Sequence, residues 1–140
     1  MFVFVYGTLT DPGRVAAVLA DGADDLEYEF ANPATLEGLH RVDGEYPTLA
    51  PGGSAEGRLL EVDPAGIEML DAYEGVERGL YVRVAVPVAD DGTAWVYVGD
   101  PDALAVADAV FWPPGRQFRD RVQTYLERER VVVRRANDRA

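Results

Sequence analysis

From Leu80 to Val88 the chain alternates without a break. Leu80, Val82, Val84, Val86 and Val88 fall on one side, and Tyr81 and Arg83 on the other. Alternation with a period of two over this length marks a strand with one face in a core. Asp91-Gly92 follows as a hairpin turn, and Ala94 to Val98 reads as the returning strand. A purely parallel, doubly wound sheet cannot contain such a hairpin. The chain must build a sheet with antiparallel pairing and cover its apolar face.

Gly and Pro punctuate the rest at short intervals, which keeps every element brief. Residues 2–6 read as a buried first strand. Asp11-Pro12 is a cap followed by Pro at the first helical position and opens a short helix over 12–20. Residues 21–33 read as acidic and irregular, and 34–41 as a second strand. Residues 43–54 hold five turn-formers and read as a loop around Tyr46-Pro47, and 55–62 as a strand. Asp63-Pro64 repeats the cap signal and opens a helix that ends near Gly75, with Ile67, Leu70 and Tyr73 on its buried stripe. Phe118, Val122, Tyr125 and Leu126 recur at helical spacing, so 115–130 reads as an amphipathic helix, and Val131 to Val133 as a last short strand. Strands outnumber helices. The fold class expected is α+β: a small mixed β-barrel with peripheral helices, all in one domain over 1–140.

At 140 residues the chain is long enough to bury a core. No apolar run approaches the roughly 20 residues that span a bilayer. The opening segment lacks the basic start of a signal peptide, so a cytoplasmic location and no membrane partner are expected. There is no cysteine, one histidine (His40) and one serine (Ser54). Disulfides, a Cys nucleophile and a multi-His metal site are excluded, and no metal is expected. Gly52-Gly53-Ser54-Ala55-Glu56 breaks the nucleophile-elbow pattern at its last position.

Every basic residue is Arg, and the net charge is −12. Without lysine there is no Walker A loop and no Schiff-base chemistry. The acidity argues against nucleic-acid binding, and the Lys-free, Asp-rich composition resembles adaptation to high salt. The charge is uneven. Residues 1–115 carry 5 Arg against 21 acids, and residues 116–140 carry 8 Arg against 4 acids. The bland interpretation of the Arg-rich end is a segment docked on its own acidic body, with the arginines facing local acids. The alternative is a contact arm for a subunit or RNA.

Carboxylates, Tyr, Thr, Arg and backbone dipoles remain as chemistry. Val5-Tyr6-Gly7-Thr8-Leu9 ends a strand just before a helix, where a glycine allows close approach and free N–H groups can meet an anion. Leu70-Asp71-Ala72-Tyr73-Glu74-Gly75 places Glu74 in the last turn of a helix. There the helix dipole, burial and the neighbouring Asp71 would all raise its pKa. Tyr81 and Arg83 share one strand face, and Tyr97 could join them. Each pattern alone also fits an ordinary turn, a solvated acid pair and a polar sheet face.

In order, Val5-Tyr6-Gly7-Thr8-Leu9, Gly44-Glu45-Tyr46-Pro47, Ala55-Glu56-Gly57-Arg58-Leu59-Leu60-Glu61-Val62, Leu70 to Gly75 and Tyr81-Val82-Arg83 resemble the γ-glutamyl cyclotransferase-like family over residues 1–98. Thr8 stands where many relatives have Ser. The resemblance implies a small barrel and no cofactor. It implies an enzyme that cyclises a γ-glutamyl compound to 5-oxoproline by intramolecular aminolysis, releasing an amine or amino acid. It maps the catalytic acid/base onto Glu74, the glutamyl-binding loop onto Tyr6, Gly7, Thr8 and Leu9, and a pocket tyrosine onto Tyr81. The expected partner is the small γ-glutamyl substrate, for a monomer or weak homodimer. The alternative is a non-catalytic module that binds γ-glutamyl metabolites or other proteins.

Overall fold

The computed structural model describes residues 1–7, 10–20, 28–43, 47–89, 92–104, 110 and 112–135. Six strands are defined: β1 (Phe2–Val5), β2 (Tyr28–Val42), β3 (Thr48–Val62), β4 (Tyr81–Pro87), β5 (Thr93–Gly99) and β6 (Val132–Arg135). Three helices accompany them: α1 (Pro12–Ala20), α2 (Pro64–Glu74) and α3 (Phe118–Glu129). The strands form one sheet in the order β4-β5-β1-β3-β2-β6. Its pairings are antiparallel except β1 with β5, which run parallel. The two edges meet at a single bridge between Val88 and Val133, so the sheet curls into a small barrel.

Every strand sends side chains inward to one cluster, including Phe4, Leu36, Leu59, Val84, Val96 and Val133. Val122 and Tyr125 of α3 join this cluster together with Trp112, so α3 belongs to the barrel core. The outer face of β1 and β3 carries a second cluster, in which Val3, Val5, Leu60 and Val62 pack under Val15 and Leu19 of α1 and Ile67 and Leu70 of α2. β1 is therefore buried on both faces, as its unbroken apolar run requires.

The cap signals hold. Asp63 accepts from the Gly66 amide at 2.9 Å, with Pro64 opening α2. Gly75 closes α2 in the left-handed conformation (φ 71°), and its amide donates to Ala72. The alternation in β4 also holds from Val84 to Val88. Leu80 departs from it: it precedes the strand, follows Gly79 at φ 75°, and packs with the outer cluster.

Two expectations are corrected. Residues 28–33 are strand, and so are 48–54, because β2 and β3 form one long hairpin. Residues 21–27 and 44–46 lie outside the described residues. Glycine and proline inside the hairpin mark breaks in register, not loops. The pairing shifts between Phe30 and Pro33 and again between Glu37 and Leu39, where Gly38 has φ 106°. Such bulges bend a sheet enough to curl it. The Tyr125 hydroxyl ties the second irregularity down: it donates to the Gly38 carbonyl (2.8 Å) and accepts from the Gly52 amide (2.9 Å).

The arginines of the last segment do not mainly face acids. Arg119 and Arg121 donate to backbone carbonyls, Arg135 lies over the Phe2 ring, Arg128 pairs with its neighbour Glu129, and Arg134 reaches across to Glu37. The segment is held by apolar burial. Deleting residues 116–140 should therefore unfold the domain or lower its melting temperature by more than ten degrees, in molar salt as well as in dilute buffer. Tyr125→Phe should cost about 1–2 kcal/mol in urea unfolding, because it strands a donor and an acceptor together.

Candidate functional site

A cavity of about 460 Å³ opens where β1 ends, between the sheet and the C-terminal end of α2. Tyr6, Gly7, Glu74 and Tyr81 line it together, so four of the six predicted site residues converge from three segments. Thr8 and Leu9 lie outside the described residues; Thr10 donates to the Gly7 carbonyl through both its amide and its hydroxyl (3.1 and 2.7 Å). Gly7 is not there for a left-handed backbone. A Cβ on it would sit an ordinary 3.7 Å from Pro47 Cγ. What its missing side chain does is keep open the gap between Gly7 and Pro47, both of which border the cavity.

The tyrosines are fixed by their hydroxyls. Tyr6 donates to the Tyr97 carbonyl (2.5 Å) and Tyr81 to the Pro47 carbonyl (2.6 Å). The Tyr6 backbone carbonyl accepts from Arg41 (2.9 Å), which clamps the end of β1. Thr48, fully buried, joins the start of β3 to the end of β5 by accepting from the Gly99 amide (2.8 Å). Burial, with the charge of Glu74 next, pushes the Tyr6 hydroxyl well above the usual tyrosine range. Tyr97 is likewise raised, first by burial and then by its hydrogen bond to Asp71.

Glu74 is the one acid lining the cavity among the described residues. Burial raises its pKa to about 7. Burial is the cause of that rise, and the like-charge effect expected from Asp71 is not among its causes. The reason is geometric: Asp71 accepts from the Tyr97 hydroxyl (2.7 Å) and pairs with Arg83 (3.1 Å), so its charge is already met. Arg83 also stacks on Trp95, 4.5 Å from the ring centroid. Tyr81, Arg83 and Tyr97 do share one face, but Arg83 points to Asp71 and stays out of the cavity lining.

His40 and Ser54 are both exposed, and neither lines the cavity. Among the described residues no group of three metal-ligating side chains occurs. No helix is long and apolar enough to cross a membrane. Sequence reasoning missed Arg14, Arg78, Thr48 and Leu104. The first two had a signal: they are two of only five arginines before residue 116.

The sequence profile described as gamma-glutamyl cyclotransferase, AIG2-like, matches residues 3–115. The chain belongs to that family. Among solved structures it is similar to a Mus musculus AIG2-like protein, with TM-score 0.57 and 22% identity over 83% of this chain and 97% of the other. It is similar to a gamma-glutamyl cyclotransferase at TM-score 0.55 and 14% identity, covering 91% and 98%. An Arabidopsis thaliana protein determined in solution gives TM-score 0.54 and 25% identity, covering 92% and 79%. No curated protein matches the chain. The family match stops at Gly115, so α3 and β6 complete the barrel core from outside the matched region.

The Asp71 contacts predict a stability defect separate from any chemistry. Asp71→Ala should cost about 1–2 kcal/mol, since Arg83 and the Tyr97 hydroxyl both lose a partner in a half-buried setting. Urea unfolding measures it, and a change below about 0.3 kcal/mol would show that the contact does not matter.

Proposed function

We propose that the protein converts a γ-glutamyl compound to 5-oxoproline and a free amine or amino acid, with Glu74 as general acid/base. The observation that carries this is the one carboxyl group lining the cavity among the described residues, with its pKa brought to about 7 by burial. A group that must take a proton and return it works best when its pKa is near the ambient pH. The family match supports the reaction type.

The substrate carries its own nucleophile. Its α-amine nitrogen attacks the γ-carbonyl carbon, and a new C–N bond closes a five-membered ring. Glu74 as carboxylate accepts the proton from that nitrogen. The carbonyl electron pair moves onto oxygen and then returns, which breaks the bond to the departing nitrogen. Glu74 gives the proton to that nitrogen, and no group on the protein is consumed. Holding the chain bent for attack lowers the barrier by proximity. Tyr6, Gly7, Thr8 and Leu9 hold the glutamyl part, with backbone N–H groups toward the oxyanion. Tyr81 forms a wall. Neither Tyr6 nor Tyr81 competes as the proton carrier, because each hydroxyl proton already goes to a backbone carbonyl. A cavity of about 460 Å³ suits a ligand of dipeptide size.

The Arg-rich segment was the main reason to consider a binding module. Arg119, Arg121 and Arg135 are engaged with the chain's own carbonyls and a ring, and the apolar face of the segment is in the core, which favours a structural role for it.

Glu74→Gln should keep the fold and lose on the order of a hundredfold in turnover of γ-glutamyl dipeptides, measured by 5-oxoproline release. Near-normal turnover would remove Glu74 from the mechanism. In the parent protein kcat/KM should fall as pH drops below about 7, where the carboxylate becomes protonated. Stability runs the other way. The folded pKa lies above the unfolded one, so the folded state holds the extra proton between pH 4.5 and about 7, and stability declines as pH rises through that window. Glu74→Gln should accordingly melt several degrees higher than the parent at pH 8, with the gap closing below pH 4.5. Gly7→Val should keep the melting temperature within a few degrees and abolish 5-oxoproline binding in calorimetry, because its branches fill the gap toward Pro47.

A further inference from the structure

Most described arginines are engaged. Arg41, Arg83, Arg128 and Arg134 pair with acids, Arg119 and Arg121 hold carbonyls, and Arg58 and Arg135 lie over rings. Four guanidinium groups, those of Arg14, Arg78, Arg116 and Arg130, make no hydrogen bond, ion pair or ring contact among the described residues. Two of those four, Arg14 and Arg78, line the cavity. They come from separate elements, α1 and the turn after α2, yet face one opening. Arg78 folds back toward the site: its Nη2 lies 3.0 Å from where a Cβ on Gly75 would stand, beside Glu74.

Two unpaired cations at one mouth are notable in a chain of net charge −12. Surplus acids could have neutralised them, and the surrounding field otherwise repels anions. Unpaired guanidinium groups suit a carboxylate, which they can grip with paired N–H bonds. The proton that Glu74 returns goes to the departing nitrogen, and Arg78, which lines the same cavity four residues further on, is placed to meet the group beyond that nitrogen. In an amino-acid leaving group the carboxylate carbon is two bonds from that nitrogen. In a simple amine the position is empty.

We propose that Arg14 and Arg78 form a carboxylate-reading subsite at the cavity mouth that selects γ-glutamyl compounds whose leaving group is an amino acid over those that release a plain amine. The inference rests on the cyclotransferase function proposed above. Both side chains are exposed, so water and salt limit the effect to about tenfold.

The test compares kcat/KM for γ-glutamyl-alanine and γ-glutamyl-ethylamine, which differ by the carboxylate alone. The parent protein in dilute buffer should prefer γ-glutamyl-alanine by about tenfold, and molar salt should shrink the preference. In the Arg14→Gln/Arg78→Gln double variant the ratio should fall to within about twofold. Arg116→Gln, which removes a charge away from the cavity, should leave the ratio intact. Melting curves should show the double variant folded, since neither guanidinium holds another residue. A preference that survives in the double variant, or one absent from the parent, overturns the subsite. So does an equal loss on both substrates, which would assign the arginines to the glutamyl carboxylate. If the parent releases no 5-oxoproline from either compound, the proposed reaction fails, and calorimetry with the same two compounds still decides the subsite. Tighter binding of γ-glutamyl-alanine that is lost in the double variant supports it, and equal affinities overturn it.

Discussion

The parallel seam between β1 and β5 is the constraint on which the site depends. Phe2, Val3 and Phe4 lie beside Ala94, Trp95 and Val96, so both strands run toward the same end of the barrel. A parallel neighbour and an antiparallel one, β3, meet on opposite sides of β1. The chain must leave β1 at this end without pairing further, and crevices at the carboxyl ends of parallel strands are where ligands collect. Tyr6 sits at that exit with its hydroxyl on the Tyr97 carbonyl, so the seam is continued by a side chain after the backbone has turned away. Gly57 shows how close the strands lie here: a Cβ on it would run into the Val5 carbonyl.

Around this seam the charges are sorted by geometry. The chain is rich in acids, yet one carboxyl group faces the cavity among its described lining residues. Asp71, one helical turn from Glu74, is drawn to the sheet by Arg83 and Tyr97. Glu74 stays at the cavity, where burial raises its pKa toward neutrality. Had both acids shared the cavity, each would have titrated under the influence of the other.

Much of this was legible in the residues. Asp63-Pro64 and Gly75 bracket α2 because capping is a local interaction between neighbours in sequence. The Val84 to Val88 alternation and its hairpin partner are local in the same sense. The hairpin of β2 and β3 was not legible, because Pro33, Gly38 and Gly52-Gly53 look like loop residues. At Gly38 and Gly52 a distant side chain, Tyr125, supplies hydrogen bonds to the irregular backbone. Arg14 and Arg78 are likewise distant from each other in sequence, and only the fold brings them to one cavity.

The sequence by itself determined the helices, the β4–β5 hairpin, the cap of α2, the family pattern and the identity of the few groups able to do chemistry. These follow from short-range sterics, periodicity and composition. The tertiary structure alone decided which of those groups meet. Glu74 reads as one acid among 25 until the fold half-buries it beside Tyr6. Asp71 and Glu74 look equivalent on one helix, and only the approach of β4 and β5 separates them. The physical reason is that solvation and charge pairing depend on what lies within a few ångströms in space, and that is set by strands drawn from opposite ends of the chain.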